Sequence, residues 1–121
     1  MLLDGQRMIG VPYLWGGSAG NGIDCSGFAR LMLRWVGIEI PRDADMQSVQ
    51  SRRVEPPYKA GDLFFFGEGD SQRRITHVGV CMGGMKVLHS SRSRNGVYLD
   101  DLDQRESLRS IFAHAGSFLK E

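Results

Sequence analysis

The chain has 121 residues, a length that suits one domain burying about two-thirds of its unfolded surface. Hydrophobic residues make up 41% and charged residues 24%, which excludes an intrinsically disordered chain. Fifteen Lys and Arg against 14 Asp and Glu leave a formal net charge of +1, which excludes a protein that binds nucleic acid mainly through a basic surface.

The first predicted helix follows a glycine-rich segment and begins at Cys25. Apolar residues recur at helical spacing between residues 28 and 35. Asp24 stands at the position of an N-cap, and Gly37 is a suitable stop. We therefore expect Cys25 in the first turn of an amphipathic helix.

A second, shorter helix is predicted after Pro41. Asp43 or Asp45 can cap its start. Met46 and Val49 are expected to be its apolar contacts with the core.

The second half of the chain has the pattern of strands. Residues 54–58 contain two prolines and predict a loop, and the glycine pair at 83–84 predicts a hairpin. Strands are predicted at residues 63–66, 75–82, 85–90, 97–99 and 110–115. Helices followed by strands predict an α+β domain, with N-terminal helices packed on an antiparallel sheet of about five strands.

The two cysteines lie in different surroundings. Cys81 lies in an apolar run, where a free cysteine is usually a small buried hydrophobe. Cys25 lies among glycines and polar residues at a predicted helix N-terminus. A helix N-terminus and a nearby imidazolium both lower the pKa of a cysteine from its usual ~8.5, and first-turn amides can donate to an oxyanion. We assign Cys25 to chemistry and Cys81 to the core.

Two of the three histidines lie at matching ends of the predicted hairpin. We expect His77 and His89 to face one another across it, with His77 as the base for Cys25 and His89 orienting that base. Facing residues of an antiparallel pair have residue numbers with a constant sum, and the sum of 77 and 89 is even. The hairpin therefore needs an odd loop or a bulge. His114 has no chemical partner nearby in the sequence, so we expect it to be structural or exposed.

A zinc site formed by these cysteine and histidine residues is an alternative interpretation. The spacing differs from that of structural zinc sites, and a fourth ligand is lacking. We expect no metal and no cofactor.

The motifs resemble those of the NlpC-type (NlpC/p-sixty) cell-wall cysteine peptidases, in the order typical of that family. The segments are GVPYLWGG at 10–17, DCSGF at 24–28, PRDA at 41–44, GDLFFF at 61–66, and the His77 strand with His89 twelve residues on. The resemblance spans roughly residues 9–118 and is closest to the γ-D-glutamyl-L-diamino acid endopeptidases.

The resemblance implies a reduced papain-like fold, with residues 1–121 as one catalytic domain. It implies a cysteine endopeptidase that hydrolyses murein stem peptides between D-γ-glutamate and a diamino acid, diaminopimelate or lysine, through a thioester acyl-enzyme. A catalytically silent murein-binding module, an amidase and an acyl transferase are the alternatives.

The resemblance also assigns roles residue by residue. Cys25 attacks the carbonyl, His77 takes and returns the proton, and His89 holds the imidazole. Tyr13 matches a tyrosine whose hydroxyl helps to bind the oxyanion. Five positions match the walls of the substrate pocket: Asp24, Ser26, Asp43, Arg42 and Trp15. Among them, Asp24, Ser26 and Asp43 match positions that hold the free amine of an N-terminal L-alanine. Asp24 could instead be only a helix cap, Arg42 only a surface charge and Trp15 only core.

The expected partner is peptidoglycan or a released stem peptide, and the expected state is a monomer with no membrane span. Family members with the PRDA stretch often carry N-terminal Src-homology-3-like domains, which are absent from the given residues. Residues 1–8 contain no basic segment followed by an apolar core, so no signal peptide is expected there. Localisation stays open between the cell envelope, secretion and cytoplasmic peptide recycling.

Overall fold

The fold is described from a computed structural model that covers residues 18–19, 22–68, 74–91 and 94–119. For residues 18, 19, 22 and 23 the description is limited to the backbone. The predicted motif at residues 10–17, with Tyr13 and Trp15, lies outside the described residues. Strands β1 (Ser18–Ala19) and β2 (Gly22–Ile23) form a small antiparallel ribbon that leads into the first described helix.

Helix α1 (Cys25–Arg34) begins at the predicted residue and ends three residues before the predicted stop at Gly37. Asp24 is the N-cap, and its Oδ1 accepts a hydrogen bond of 2.7 Å from the Gly27 amide. Gly37 has a φ of +84°, a left-handed conformation that glycine adopts at low cost after a helix. The inward face of α1 is buried through Phe28, Ala29, Met32 and Leu33.

Helix α2 (Ala44–Gln50) lies where the second helix was predicted, but it turns a different side to the core. Asp43 is at the N-cap position without a capping hydrogen bond from its side chain. Met46 and Val49, predicted as core contacts, are 44% and 77% exposed, so that prediction is wrong. The buried residue is Gln47, whose Nε2 donates to the carbonyl oxygens of Ser26 and Pro41.

None of the described helices has the length and apolar composition of a membrane-spanning segment.

The six other described strands form one antiparallel sheet, in the order β3-β8-β4-β5-β6-β7. Their bounds are β3 (Arg52–Val54), β4 (Leu63–Glu68), β5 (Arg74–Gly83), β6 (Lys86–Ser91), β7 (Gly96–Asp101) and β8 (Phe112–Ser117). A one-turn helix, α3 (Glu106–Arg109), connects β7 to β8. The α+β prediction is confirmed. The sixth strand is β3, at the sheet edge, whose last residue had been predicted to lie in a loop.

The sheet has apolar side chains on both faces. One face carries residues such as Leu63, Phe65 and Val80 and packs against α1. The other carries Phe64, Phe66 and the fully buried Cys81. Because β4 is buried on both faces, its sequence is a continuous apolar run rather than an alternating one.

The hairpin of β5 and β6 contains the bulge that the parity argument requires. Val80 pairs with Leu88 and Cys81 with Val87, and the register then shifts before Gly83. Extending that register by one residue places His89 opposite Gly79 rather than opposite His77. The two histidines are therefore diagonal neighbours on one face, and the prediction that they face each other directly is wrong.

The burial of Gln47 gives a direct test of how α2 packs. Gln47→Ala removes both donated hydrogen bonds and leaves two carbonyl groups without this partner, so it should lower the free energy of unfolding by about 1–3 kcal/mol. Val49→Ala on the same helix changes an exposed side chain and should stay within about 0.5 kcal/mol of the parent. Urea unfolding curves measure both. A larger loss for Val49→Ala than for Gln47→Ala would contradict the packing described.

Candidate active site

Cys25 is the first residue of α1 and is 8% exposed. Its sulfur accepts a hydrogen bond from the backbone amide of Val78, the residue that follows His77 in β5. The first-turn amides of Cys25 and Ser26 also point to it. The N-terminus of a helix and a central strand of the sheet thus meet at one thiol.

Burial governs the protonation of that thiol. The pKa of Cys25 is raised to about 11, mainly by removal from water and also by the nearby Asp24 carboxylate. Hydrogen bonds from the Val78, Ser26 and Cys25 amides favour the thiolate but do not offset the loss of hydration. The sequence-based prediction of a lowered pKa is wrong for the free site, where Cys25 is a neutral thiol at neutral pH.

His77 and His89 form a hydrogen-bonded pair. Nε2 of His77 lies 2.7 Å from Nδ1 of His89, and the rings meet edge to face. His77 is half-buried beside the Phe66 ring, whereas His89 is almost fully buried. With Nε2 engaged, Nδ1 is the nitrogen of His77 that can serve the thiol. Among the described contacts, no hydrogen bond yet joins the Cys25 thiol to this ring.

The His77 imidazole is also neutral in the free site. The pKa of His77 is lowered to about 3, mainly by burial and also by the neighbouring His89, while Asp100 acts in the opposite direction. A neutral imidazole is able to accept a proton, which is what a general base requires.

Gly79 explains how the diagonal pair can form. A Cβ atom on Gly79 would lie 2.3 Å from Cγ2 of Val87 and 3.0 Å from Cβ of His89. Because the side chains of Val87 and His89 in β6 occupy that space, only glycine fits at this position of β5. Sequence reasoning missed this role, although an isolated glycine between His77 and Cys81 within a strand was a usable signal.

Asp100 extends the histidine pair to a third strand and was also missed. Its Oδ2 lies 2.6 Å from Nε2 of His89. A guanidinium nitrogen of Arg94 contacts the same oxygen, and Nε of Arg105 lies 3.7 Å from Oδ1. His77, His89 and Asp100 therefore run diagonally across β5, β6 and β7.

Asp24, Ser26 and Arg42 form a second polar cluster, beside Cys25. Arg42 donates to Oδ2 of Asp24 and to Oγ of Ser26, both at 2.9 Å. Asp24 thus caps α1 through one oxygen and pairs with Arg42 through the other. Asp43 is exposed, and its charge helps to raise the pKa of Arg42, after the larger contribution of the Asp24 hydrogen bond. Of the predicted pocket residues, these four are brought together.

His114 lies apart from the histidine pair, in β8. Its Nε2 is 2.9 Å from Oγ of Ser48 in α2, and its ring packs near Phe65. These contacts agree with the structural role expected for it.

Comparison with known proteins gives one consistent family. Residues 10–115 match the NlpC/P60 family. The chain is 43% identical over 94 residues to a γ-D-glutamyl-L-lysine dipeptidyl-peptidase of Bacillus subtilis, covering 77% of this chain and 32% of that protein. The chain therefore spans about a third of the length of this curated relative.

Solved structures give the same result. A crystal structure of an NlpC/P60 family protein from Bacillus cereus superimposes with a TM-score of 0.88 at 31% identity, covering 98% of this chain and 39% of that one. The peptidoglycan hydrolase RipB from Mycobacterium tuberculosis gives a TM-score of 0.79 at 28% identity, with coverage of 99% and 64%.

The raised pKa of Cys25 predicts how fast its thiol reacts at each pH. Since the thiolate is the nucleophile and its fraction grows until pH approaches about 11, alkylation by iodoacetamide should accelerate roughly tenfold per pH unit between about pH 7 and pH 10. The measurement is made in a Cys81→Ala background, so that Cys25 is the only cysteine. A rate that is constant from about pH 5 to pH 8 would instead indicate a preformed thiolate–imidazolium pair.

Proposed function

The chain belongs to the NlpC/P60 family, and from this premise we propose that it is a cysteine endopeptidase acting on murein stem peptides. The bond that we propose it cleaves joins D-γ-glutamate to a diamino acid. The relative from Bacillus subtilis named for γ-D-glutamyl-L-lysine supports this choice of bond.

One observation carries the proposal. A buried thiol lies at the N-terminus of α1 and accepts the amide of Val78, while the preceding residue, His77, presents a neutral imidazole held by His89. Adjacent residues of β5 thus carry the contact to the thiol and the imidazole, and this supports the assignment of Cys25 as nucleophile and His77 as base in acyl transfer through a thioester.

The proposed reaction starts from the neutral pair. As Cys25 attacks the γ-carbonyl, its proton passes to Nδ1 of His77, and the first-turn amides receive the charge that develops on the carbonyl oxygen. By resemblance, the Tyr13 hydroxyl joins them. The His77 imidazolium then protonates the leaving amine of the diamino acid. Water, deprotonated by His77, hydrolyses the thioester and restores the thiol.

Substrate recognition is proposed to depend on Asp43 more than on Asp24. Both oxygens of Asp24 have partners, the Gly27 amide and Arg42, so its charge is largely compensated. In the described part of the chain the exposed Asp43 carboxylate forms no ion pair within hydrogen-bond distance, so its charge can attract an ammonium group. Since an ammonium is held well only when paired, a free N-terminal L-alanine amine suits this place.

The nucleophile assignment predicts a loss of turnover with the fold retained. Cys25→Ala and Cys25→Ser should abolish cleavage, because the acyl-enzyme cannot form at the usual rate. His77→Ala should lower kcat by about a hundredfold or more. Mass spectrometry of defined muropeptides after incubation with each variant measures both effects.

Cys81→Ala and His114→Ala are the matched controls. Each changes the same residue type outside the site, so turnover should persist, with Cys81→Ala costing stability only. Full activity in Cys25→Ala, or equal losses for His77→Ala and His114→Ala, would overturn the assignment.

The recognition proposal predicts a preference for a free amine. A tetrapeptide beginning with L-alanyl-D-γ-glutamyl should have a kcat/KM on the order of a hundredfold above that of its N-acetylated form, since acetylation leaves Asp43 without its partner. Asp43→Asn should reduce this ratio without abolishing cleavage of the acetylated peptide. Asp45→Asn, also exposed and two residues away, is the control and should keep the ratio. Equal kcat/KM values in the parent protein would mean that the amine is not recognised.

A further inference from the structure

A line of hydrogen bonds crosses three strands from the base to a buried carboxylate. Nε2 of His77 meets Nδ1 of His89, and Nε2 of His89 meets Oδ2 of Asp100. We propose that Asp100 is a positioning residue that sets the tautomers of both histidines, so that Nδ1 of His77 carries no proton and can accept the one from Cys25. The proposal rests on the proposed function only in naming Cys25 as the proton donor.

Asp100 sets the direction in which this line of hydrogen bonds is donated. Burial by itself would raise the pKa of Asp100, but the hydrogen bond from His89 and the charges of Arg94 and Arg105 hold that pKa below its usual value. An ionised carboxylate accepts hydrogen bonds and donates none. Nε2 of His89 must therefore be the nitrogen that carries the hydrogen.

Charge argues for a neutral His89. The Asp100 carboxylate already has two guanidinium groups, of Arg94 and Arg105, close to its oxygens. A protonated His89 would add a third cation around one buried carboxylate. A neutral imidazole has one N–H, and with that hydrogen on Nε2 its Nδ1 has a free lone pair.

The tautomer of His89 then determines the tautomer of His77. Since Nδ1 of His89 accepts, Nε2 of His77 must donate across the 2.7 Å contact. His77 is neutral as well, so its single hydrogen is used there. Nδ1 of His77 is left as a lone pair, the state in which it can act as a base. The burial of His89, which is 2% exposed, restricts water from supplying an alternative donor.

A purely structural Asp100 would have a different signature. Its ion pairs with Arg94 and Arg105 could anchor the end of β7 whatever the tautomers are. The residue Asp101 offers the comparison, because it lies next in β7 and its Oδ1 accepts from the Asp103 amide, apart from the histidines. A substitution that changes imidazole tautomers, and not only stability, separates the two roles.

The experiment is ¹⁵N NMR of histidine-labelled protein, without substrate, near neutral pH. In the wild type, Nδ1 of His77 and Nδ1 of His89 should both show the chemical shift of an unprotonated nitrogen, and each Nε2 that of a protonated one. In Asp100→Asn the amide can donate to Nε2 of His89, so a protonated Nδ1 of His77 should appear. The kcat for a free tetrapeptide should fall on the order of a hundredfold with KM unchanged. Asp101→Asn should change neither.

A protonated Nδ1 of His77 in the wild type would overturn the proposal, as would an Asp100→Asn variant with wild-type tautomers and wild-type kcat. If Asp100→Asn does not fold, the wild-type tautomers decide the question. The NMR result does not depend on turnover. If the tautomers are as expected but no murein peptide is cleaved, the proposed function fails and the tautomer order stands.

Discussion

The contact between the N-terminus of α1 and the backbone of β5 is the constraint on which the site depends. The Val78 amide donates to the Cys25 sulfur, which fixes the thiol beside the strand that carries His77. The start of α1 is held from two other directions. Asp24 caps it, and the buried Gln47 of α2 donates to the Ser26 carbonyl. Without these supports, a shift of α1 by about 1 Å would separate the proposed nucleophile from the proposed base.

The same contact has an electrostatic consequence. The Cys25 thiol and the His77 imidazole each lose hydration by burial, and both charged forms become unfavourable, as the opposite pKa shifts of the two groups indicate. The proposed chemistry therefore separates charge only while a carbonyl group is being attacked. The line of hydrogen bonds through His89 connects His77 to the Asp100 carboxylate, two hydrogen bonds away. This carboxylate stabilises the imidazolium that the proposed reaction forms on His77.

Local patterns were enough to predict the parts of the site that are local. The N-cap before Cys25 and the glycine pair at 83–84 gave the start of α1 and the β5–β6 hairpin correctly. The diagonal register could not be read, because it depends on the bulge beside Cys81. Asp100 could not be predicted for a different reason. Its hydrogen bond to His89 depends on the pairing of β6 with β7, and the sequence around an aspartate in a short strand does not indicate which residue lies beside it. Gln47 was missed because helical periodicity identifies apolar faces, and here the buried position is polar.

The proposed mechanism is tested most directly by identifying the residue that carries the acyl group. The protein is mixed with a free L-alanyl-D-γ-glutamyl-diamino acid peptide, quenched with acid within the first turnover, and digested for mass spectrometry. We expect an L-alanyl-D-γ-glutamyl adduct on the peptide that contains Cys25, sensitive to hydroxylamine as a thioester is, and absent in Cys25→Ala. Product formation in the Cys25→Ala variant, or an adduct on Cys81 in place of Cys25, would contradict it.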